Sequence, residues 1–82
     1  MAVMQIKRKT HYSYPIIIEK DEDGFFVSCP ALQGCYSQGN SYEEALRNIQ
    51  DAIALHIQAR KARGEVIPKP TGFSISTVEV MV

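Results

Sequence analysis

Short apolar runs separated by polar turn residues occupy the first half of the chain. They cover residues 12–19, 25–29 and 35–38, and the first two contain most of the Ile, Val, Phe and Tyr residues found there. Short runs of β-branched and aromatic residues between turn residues are typical of β-strands. Residues 20–24 and 30–34 separate the runs and carry the Asp, Pro and Gly of tight turns. The pattern predicts a meander of three antiparallel strands.

At Ser41 the apolar period changes from that of a strand to that of a helix. Ser41 and Glu44 have the spacing of a capping box, in which each side chain accepts a hydrogen bond from the other residue's backbone N–H. Gly64 is a natural end, since glycine is favoured just after a helix. The spacing predicts a helix that begins at Tyr42 and ends before Gly64. Its buried stripe is expected to contain Ala45, Leu46, Ile49, Ala52, Ile53, His56 and Ile57.

Beyond the helix, the pattern predicts an extended connector and a last strand. Residues 65–72 contain two prolines and a glycine, and residues 73–82 are again apolar and β-branched. The predicted fold class is α+β, a single domain with the order β-β-β-α-β. We expect a mixed four-stranded sheet in the order 3-2-1-4, with a right-handed crossover and one long helix packed on one face.

Two apolar features predict self-association. Ile17 lies between two other isoleucines in a strand that is apolar on both faces, whereas one helix covers only one face. In the last strand the apolar parity changes after Ile75, so that Val78, Val80 and Val82 fall on the other face. Either a bulge restores the register or these valines pack on a partner subunit. Because an 82-residue domain has a small core, a dimer or tetramer is the expected state.

Charge and hydrophobicity reduce the number of possible functions. Nine basic and nine acidic residues cancel, so the chain lacks the overall positive field of a nucleic-acid-binding protein. The cluster Lys7-Arg8-Lys9 is the remaining candidate for such contacts. No stretch is long and apolar enough to cross a membrane, and the N-terminus lacks the pattern of a secretion signal. We therefore expect a cytoplasmic protein in which Cys29 and Cys35 are thiols.

Candidate catalytic and metal-binding groups are few. Cys29 and Cys35 supply two ligands, and His11 and His56 are not expected to join them, whereas zinc requires three or four. His56 is better explained as a packing residue of the helix than as a catalytic base. We expect no enzyme activity, metal or cofactor. The turn residues Asp21, Glu22 and Asp23 are either solvated or an acidic contact for a basic partner.

The stretch YPIIIEKDEDGFFVSCPALQGCYSQGNSYEEALRNIQDAI resembles the HicB-like antitoxin domain. The shared pattern is an apolar strand ending in E-x-D-x-x-G, a second strand ending in C-P, then L-x-G-C-x-S-x-G and S-x-E-E-A-L-x-N. The resemblance covers roughly residues 12–62. We assign residues 12–82 to a HicB-like domain and residues 1–11 to an N-terminal extension.

This resemblance implies a truncated ribonuclease H-like fold without catalysis. Nucleases of that fold need a carboxylate in the middle of the first strand, where this chain has isoleucines. It also implies a type II antitoxin that blocks a small, basic, HicA-like mRNA-cleaving toxin. We expect no DNA-binding domain in this chain, although many HicB-like antitoxins carry one. The alternatives are an orphan oligomeric scaffold or RNA-binding module without a toxin and, third, a metal-dependent nuclease that uses Glu19, Asp51 and Glu79.

Overall fold

Three strands and one helix form in the predicted order, although the first strand begins at Ile17 instead of Tyr12 and continues into the predicted turn as far as Asp21. The computed structural model describes residues 10–70 and 72–82. Strand β1 covers Ile17–Asp21, β2 covers Gly24–Ser28 and β3 covers Tyr36–Gly39, and helix α1 covers Tyr42–Ala62. The strands form one antiparallel sheet in the order β1-β2-β3. The three-stranded meander and the α+β class were predicted correctly.

The predicted fourth strand was wrong. Residues 72–82 are exposed and outside any sheet, so the described chain forms a three-stranded antiparallel sheet, not a mixed four-stranded one in the order 3-2-1-4. The direction of the chain after the helix is set before residue 72, where the Tyr14 hydroxyl donates a hydrogen bond to the Pro68 carbonyl over 2.6 Å. Pro68 and Pro70 then favour extended backbone, because each fixes its own φ and restricts the residue before it. The chain leaves the domain instead of returning along β1.

Helix α1 covers one face of the sheet, mainly over β2 and β3. The Ser41 Oγ accepts a hydrogen bond from the Glu44 N–H over 3.1 Å, which confirms one half of the predicted capping box. The predicted apolar stripe is confirmed as well, since all seven of its residues are buried or half-buried. The core is formed by Val27, Cys29, Leu32, Cys35, Ala45 and Ile49. Burial of these side chains holds the helix against the meander.

Two glycines bring the beginning of the helix against the sheet. A Cβ on Gly39 would lie 2.5 Å from the Ala45 nitrogen, and a Cβ on Gly24 would lie 2.8 Å from the Gly39 carbonyl oxygen. Gly24 also has a φ of +140°, in the range that favours glycine. Only residues without a side chain allow this approach. The β1–β2 turn and the first turn of α1 are therefore neighbours.

No helix of the described residues covers the opposite face of the sheet. Ile17, Phe26 and Tyr36 lie on this open face; Ile17 is half-buried, while Phe26 and Tyr36 are exposed. A shallow depression of about 220 Å³ lies among them and also contacts Glu19. The prediction that one helix leaves Ile17 uncovered on one side agrees with this arrangement.

Candidate functional site

An acidic turn connects β1 and β2. Asp21, Glu22 and Asp23 are all exposed, and Asp21 is paired with Gly24 across the turn. The Asp23 backbone N–H donates a hydrogen bond to Asp21 Oδ1 over 2.7 Å. A side-chain acceptor two residues earlier is a common way to fix a tight turn. The turn therefore presents its carboxylates from a fixed backbone.

The first turn of α1 adds two more carboxylates beside this turn. The rings of Phe25 and Tyr42 meet edge to face, with centroids 6.3 Å apart, and so join β2 to the start of the helix. Glu43 and Glu44 follow in the first helical turn, where the N–H groups of the helix end favour negative charge. We call Asp21, Glu22, Asp23, Glu43 and Glu44 the acidic end.

A polar depression of about 410 Å³ lies within the acidic end. Asp23 and Glu44 line it together with three residues that carry amide side chains, Gln38, Asn40 and Asn48. One of these, Asn48, donates a hydrogen bond from Nδ2 to the Gln38 carbonyl over 2.7 Å and thereby covers part of the outer edge of β3. Carboxylate and amide oxygens accept hydrogen bonds, so the depression suits a Lys or Arg side chain.

The far end of the helix is basic. Arg60, Lys61 and Arg63 lie there, at the opposite end from Glu43 and Glu44 of a 21-residue helix that is about 32 Å long. Glu65 neutralises part of this charge, because Arg63 Nε donates to Glu65 Oε1 over 2.7 Å and Arg60 lies 3.7 Å away. The hydrogen bond from Arg63 lowers the pKa of Glu65, so the pair stays ionised. Although its formal net charge is zero, the protein therefore has an acidic end and a basic end.

The groups that could support catalysis are occupied in packing. Cys29 and Cys35 are buried free thiols, and burial raises the pKa of both, which keeps them protonated and unreactive near neutral pH. His56 is half-buried and accepts a hydrogen bond from Arg60 Nε over 2.8 Å. Across residues 10–70 and 72–82, no three side chains of His, Cys, Asp or Glu come together as a metal site would require.

The three carboxylates of the nuclease alternative do not meet. Glu19 contacts the depression on the open face, whereas Asp51 is exposed on the helix, which covers the other face. Glu79 lies in the exposed residues 72–82. The sheet therefore separates Glu19 from Asp51, and two-metal chemistry needs ions about 4 Å apart held by shared carboxylates.

Residues 14–79 match the family model described as "HicB_like antitoxin of bacterial toxin-antitoxin system". The chain belongs to the HicB-like antitoxin family. Among its relatives, UPF0150 protein ssr1765 of Synechocystis is 42% identical over 67 residues, which cover 80% of this chain and 85% of the relative. The resemblance inferred from the sequence motifs is confirmed.

Solved structures give the same assignment. A chain of the "HicA3 and HicB3 toxin-antitoxin complex" superimposes with a TM-score of 0.62 and 35% identity, covering 73% of this HicB-like chain and 70% of the other. The N-terminal domain of antitoxin HicB from Burkholderia pseudomallei superimposes with a TM-score of 0.58 and 28% identity, covering 78% and 70%. In the described part of this HicB-like chain, no helix has the length and apolar character needed to cross a membrane.

The structure separates the two sets of residues predicted for self-association. Ile17 lies at the start of β1 on the open face, whereas Val78, Val80 and Val82 lie in the exposed residues 72–82. Lys7, Arg8 and Lys9 lie outside the described residues. Sequence reasoning identified the acidic turn but did not join it to Glu43 and Glu44. The capping box was the available signal, because it placed both carboxylates at a helix start that directly follows the meander.

Proposed function

We propose that this HicB-like chain is a non-catalytic antitoxin that binds a HicA-like toxin in the cytoplasm and blocks its cleavage of mRNA. Family membership and the likeness to a chain of a HicA3–HicB3 complex support a toxin–antitoxin role. The proposed toxin-binding surface rests on one observation, the acidic end. The family resemblance implies that HicA-like toxins are small and basic, so an acidic surface on the antitoxin complements them.

Asp21, Glu22 and Asp23 are the proposed toxin contacts. They are exposed on a turn whose backbone is held by the hydrogen bond between Asp23 and Asp21, so little conformational entropy is lost on binding. The depression beside them accepts one basic side chain of the toxin between Asp23 and Glu44. Attraction between such surfaces raises the association rate and selects the partner.

A non-catalytic role is supported by the side chains on β1. Ile17 and Ile18 occupy the strand where a nuclease of ribonuclease H-like architecture needs its first metal-binding carboxylate. Glu19 follows them but lies across the sheet from Asp51. Inhibition would then come from covering the toxin's active site and not from chemistry on the RNA.

Co-expression tests the function and the surface separately. The toxin to be tested is a small basic HicA-like protein encoded by a neighbouring gene. The antitoxin is supplied in its natural form or with Asp21→Asn, Glu22→Gln and Asp23→Asn together. We expect the natural chain to restore growth and to copurify with the toxin. The triple variant is expected to bind at least about tenfold more weakly at low salt, with a smaller difference at high salt because screening weakens exposed charges.

The matched control removes three carboxylates elsewhere, with Asp51→Asn, Glu65→Gln and Glu79→Gln. It changes the net charge equally and leaves the acidic end intact. If the natural chain neither restores growth nor copurifies, the antitoxin function is refuted. If both triple variants bind as the natural chain does, the function stands and the acidic end is not the contact.

A further inference from the structure

An open strand edge and an apolar groove meet at the start of β1. Among the described residues, β1 is paired with β2 on one side only, so alternate backbone N–H and C=O groups along its other side lack a strand partner there. A groove of about 420 Å³ is lined mainly by Tyr14 and Ile16 from the chain just before β1 and by Leu46, Ile49 and Ile53 from α1. No residue of β1, β2 or β3 lines this groove, so it lies beside the chain that leads into β1.

The same chain carries a segment with the complementary features. Residues 72–82, the C-terminal segment, are exposed and outside any sheet, with Val78 79% and Val80 72% exposed. Val78, Val80 and Val82 share one face of an extended chain, because side chains alternate. Residues 78–82 span about 17 Å, the length of the five-residue β1.

We propose that the C-terminal segment of a second copy of this chain adds beside residues 16–18, where the outer edge of β1 begins, with its valines in the groove over α1. Its backbone would pair with the free groups of β1, and Val78, Val80 and Val82 would contact Ile16, Ile49 and Ile53. Addition of a strand to an exposed edge is a common mode of recognition, in which the backbone gives affinity and alternate side chains give specificity.

A second copy fits this groove better than the chain's own segment does. The hydrogen bond from Tyr14 to the Pro68 carbonyl fixes the connector beside the groove, and Pro68 and Pro70 favour extended backbone from there. The chain would have to reverse direction soon after Pro70 to fill its own groove. A segment from a second copy enters without such a reversal, and mutual exchange closes a two-fold dimer.

Sedimentation of the full chain without toxin tests this directly. Val80→Lys introduces a charge into the proposed groove, and Leu55→Lys is the matched control, because Leu55 is similarly exposed at 67% but lies outside the groove residues. We expect a dimer at tens of micromolar, a dissociation constant raised at least about tenfold by Val80→Lys, and no such change for Leu55→Lys. Far-UV circular dichroism should show that both variants keep the natural helix content.

A wild-type chain that sediments as a monomer would overturn the proposal. So would a dissociation constant raised equally by Val80→Lys and Leu55→Lys, or one left unchanged by Val80→Lys. A mixture of isotope-labelled and unlabelled chains distinguishes strand exchange from other dimers. Nuclear Overhauser contacts between copies are expected from the Val80 methyls to those of Leu46 or Ile53. A dimer whose Val80 methyls show no such contact between copies would also overturn it.

Discussion

Replacing Gly39 by alanine tests how closely the helix approaches the sheet. The added Cβ would lie 2.5 Å from the Ala45 nitrogen and 2.9 Å from both the Ala45 Cα and the Glu44 carbonyl carbon. All three are backbone atoms, so no change of rotamer relieves the contact and the helix start must move. Overpacking typically costs about 1–3 kcal/mol, and a rigid contact of this kind is expected near the upper end. For a domain of this size, a loss of about 3 kcal/mol lowers Tm by about 12–24 °C.

Urea unfolding followed by the far-UV signal of α1 measures this cost. Gly72→Ala is the control, because a Cβ on Gly72 meets nothing within 4 Å and is expected to change the free energy of unfolding by less than about 0.5 kcal/mol. If Gly39→Ala unfolds at the same urea concentration as Gly72→Ala with an unchanged m value, the close approach between sheet and helix is refuted. The juxtaposition of the acidic turn with Glu43 and Glu44 would then lose its structural basis.

Three further perturbations test other parts of the fold. Ser41→Ala should cost about 1 kcal/mol in urea unfolding, because the Glu44 N–H loses its acceptor, whereas Ser41→Asp should retain most of the stability; equal losses would exclude a capping role. Tyr14→Phe should cost about 1 kcal/mol in urea unfolding because it removes the hydrogen bond to Pro68. Tyr12→Phe is the control, because the ring of residue 12 stays near Lys61 when the hydroxyl is removed. Equal effects of the two variants would contradict the role of the bond to Pro68. Burial raises the pKa of Cys29, Cys35 and Tyr14 in the folded chain, so the unfolded chain loses these protons first. Their contribution to the free energy of unfolding should be constant below the ordinary thiol pKa of about 8.5, and the measured free energy of unfolding should fall as pH rises above it. An increase there would contradict the burial.

Elements set by neighbouring residues were predictable from the sequence. The capping box of Ser41 and Glu44 placed the helix start at Tyr42, and the acidic loop with Gly24 placed the first hairpin. Both depend on residues within a few positions of each other, and local hydrogen bonds and backbone preferences determine them. The acidic turn was recognised as a candidate contact for the same reason, since its three carboxylates are consecutive.

Features that depend on distant contacts were not predictable in this way. The alternating valines of residues 78–82 indicate an extended chain but do not say which sheet, or which copy, it joins. The bond from Tyr14 to Pro68 directs the connector, and it links residues 54 positions apart. Gly39 ends β3, and its lack of a side chain admits the helix, a contact that no local pattern predicts. The grouping of Asp23 with Glu44 likewise follows from packing, which no local pattern encodes.

Titration of this chain with a catalytically inactive variant of a HicA-like toxin tests the central claim most directly. Calorimetry at low and high salt gives the affinity, the stoichiometry and the electrostatic share of binding. We predict saturable binding with a defined stoichiometry, weakened as salt rises because the acidic end meets a basic surface. The absence of binding at tens of micromolar antitoxin at low salt, with the partner encoded beside this chain, would contradict the proposed function.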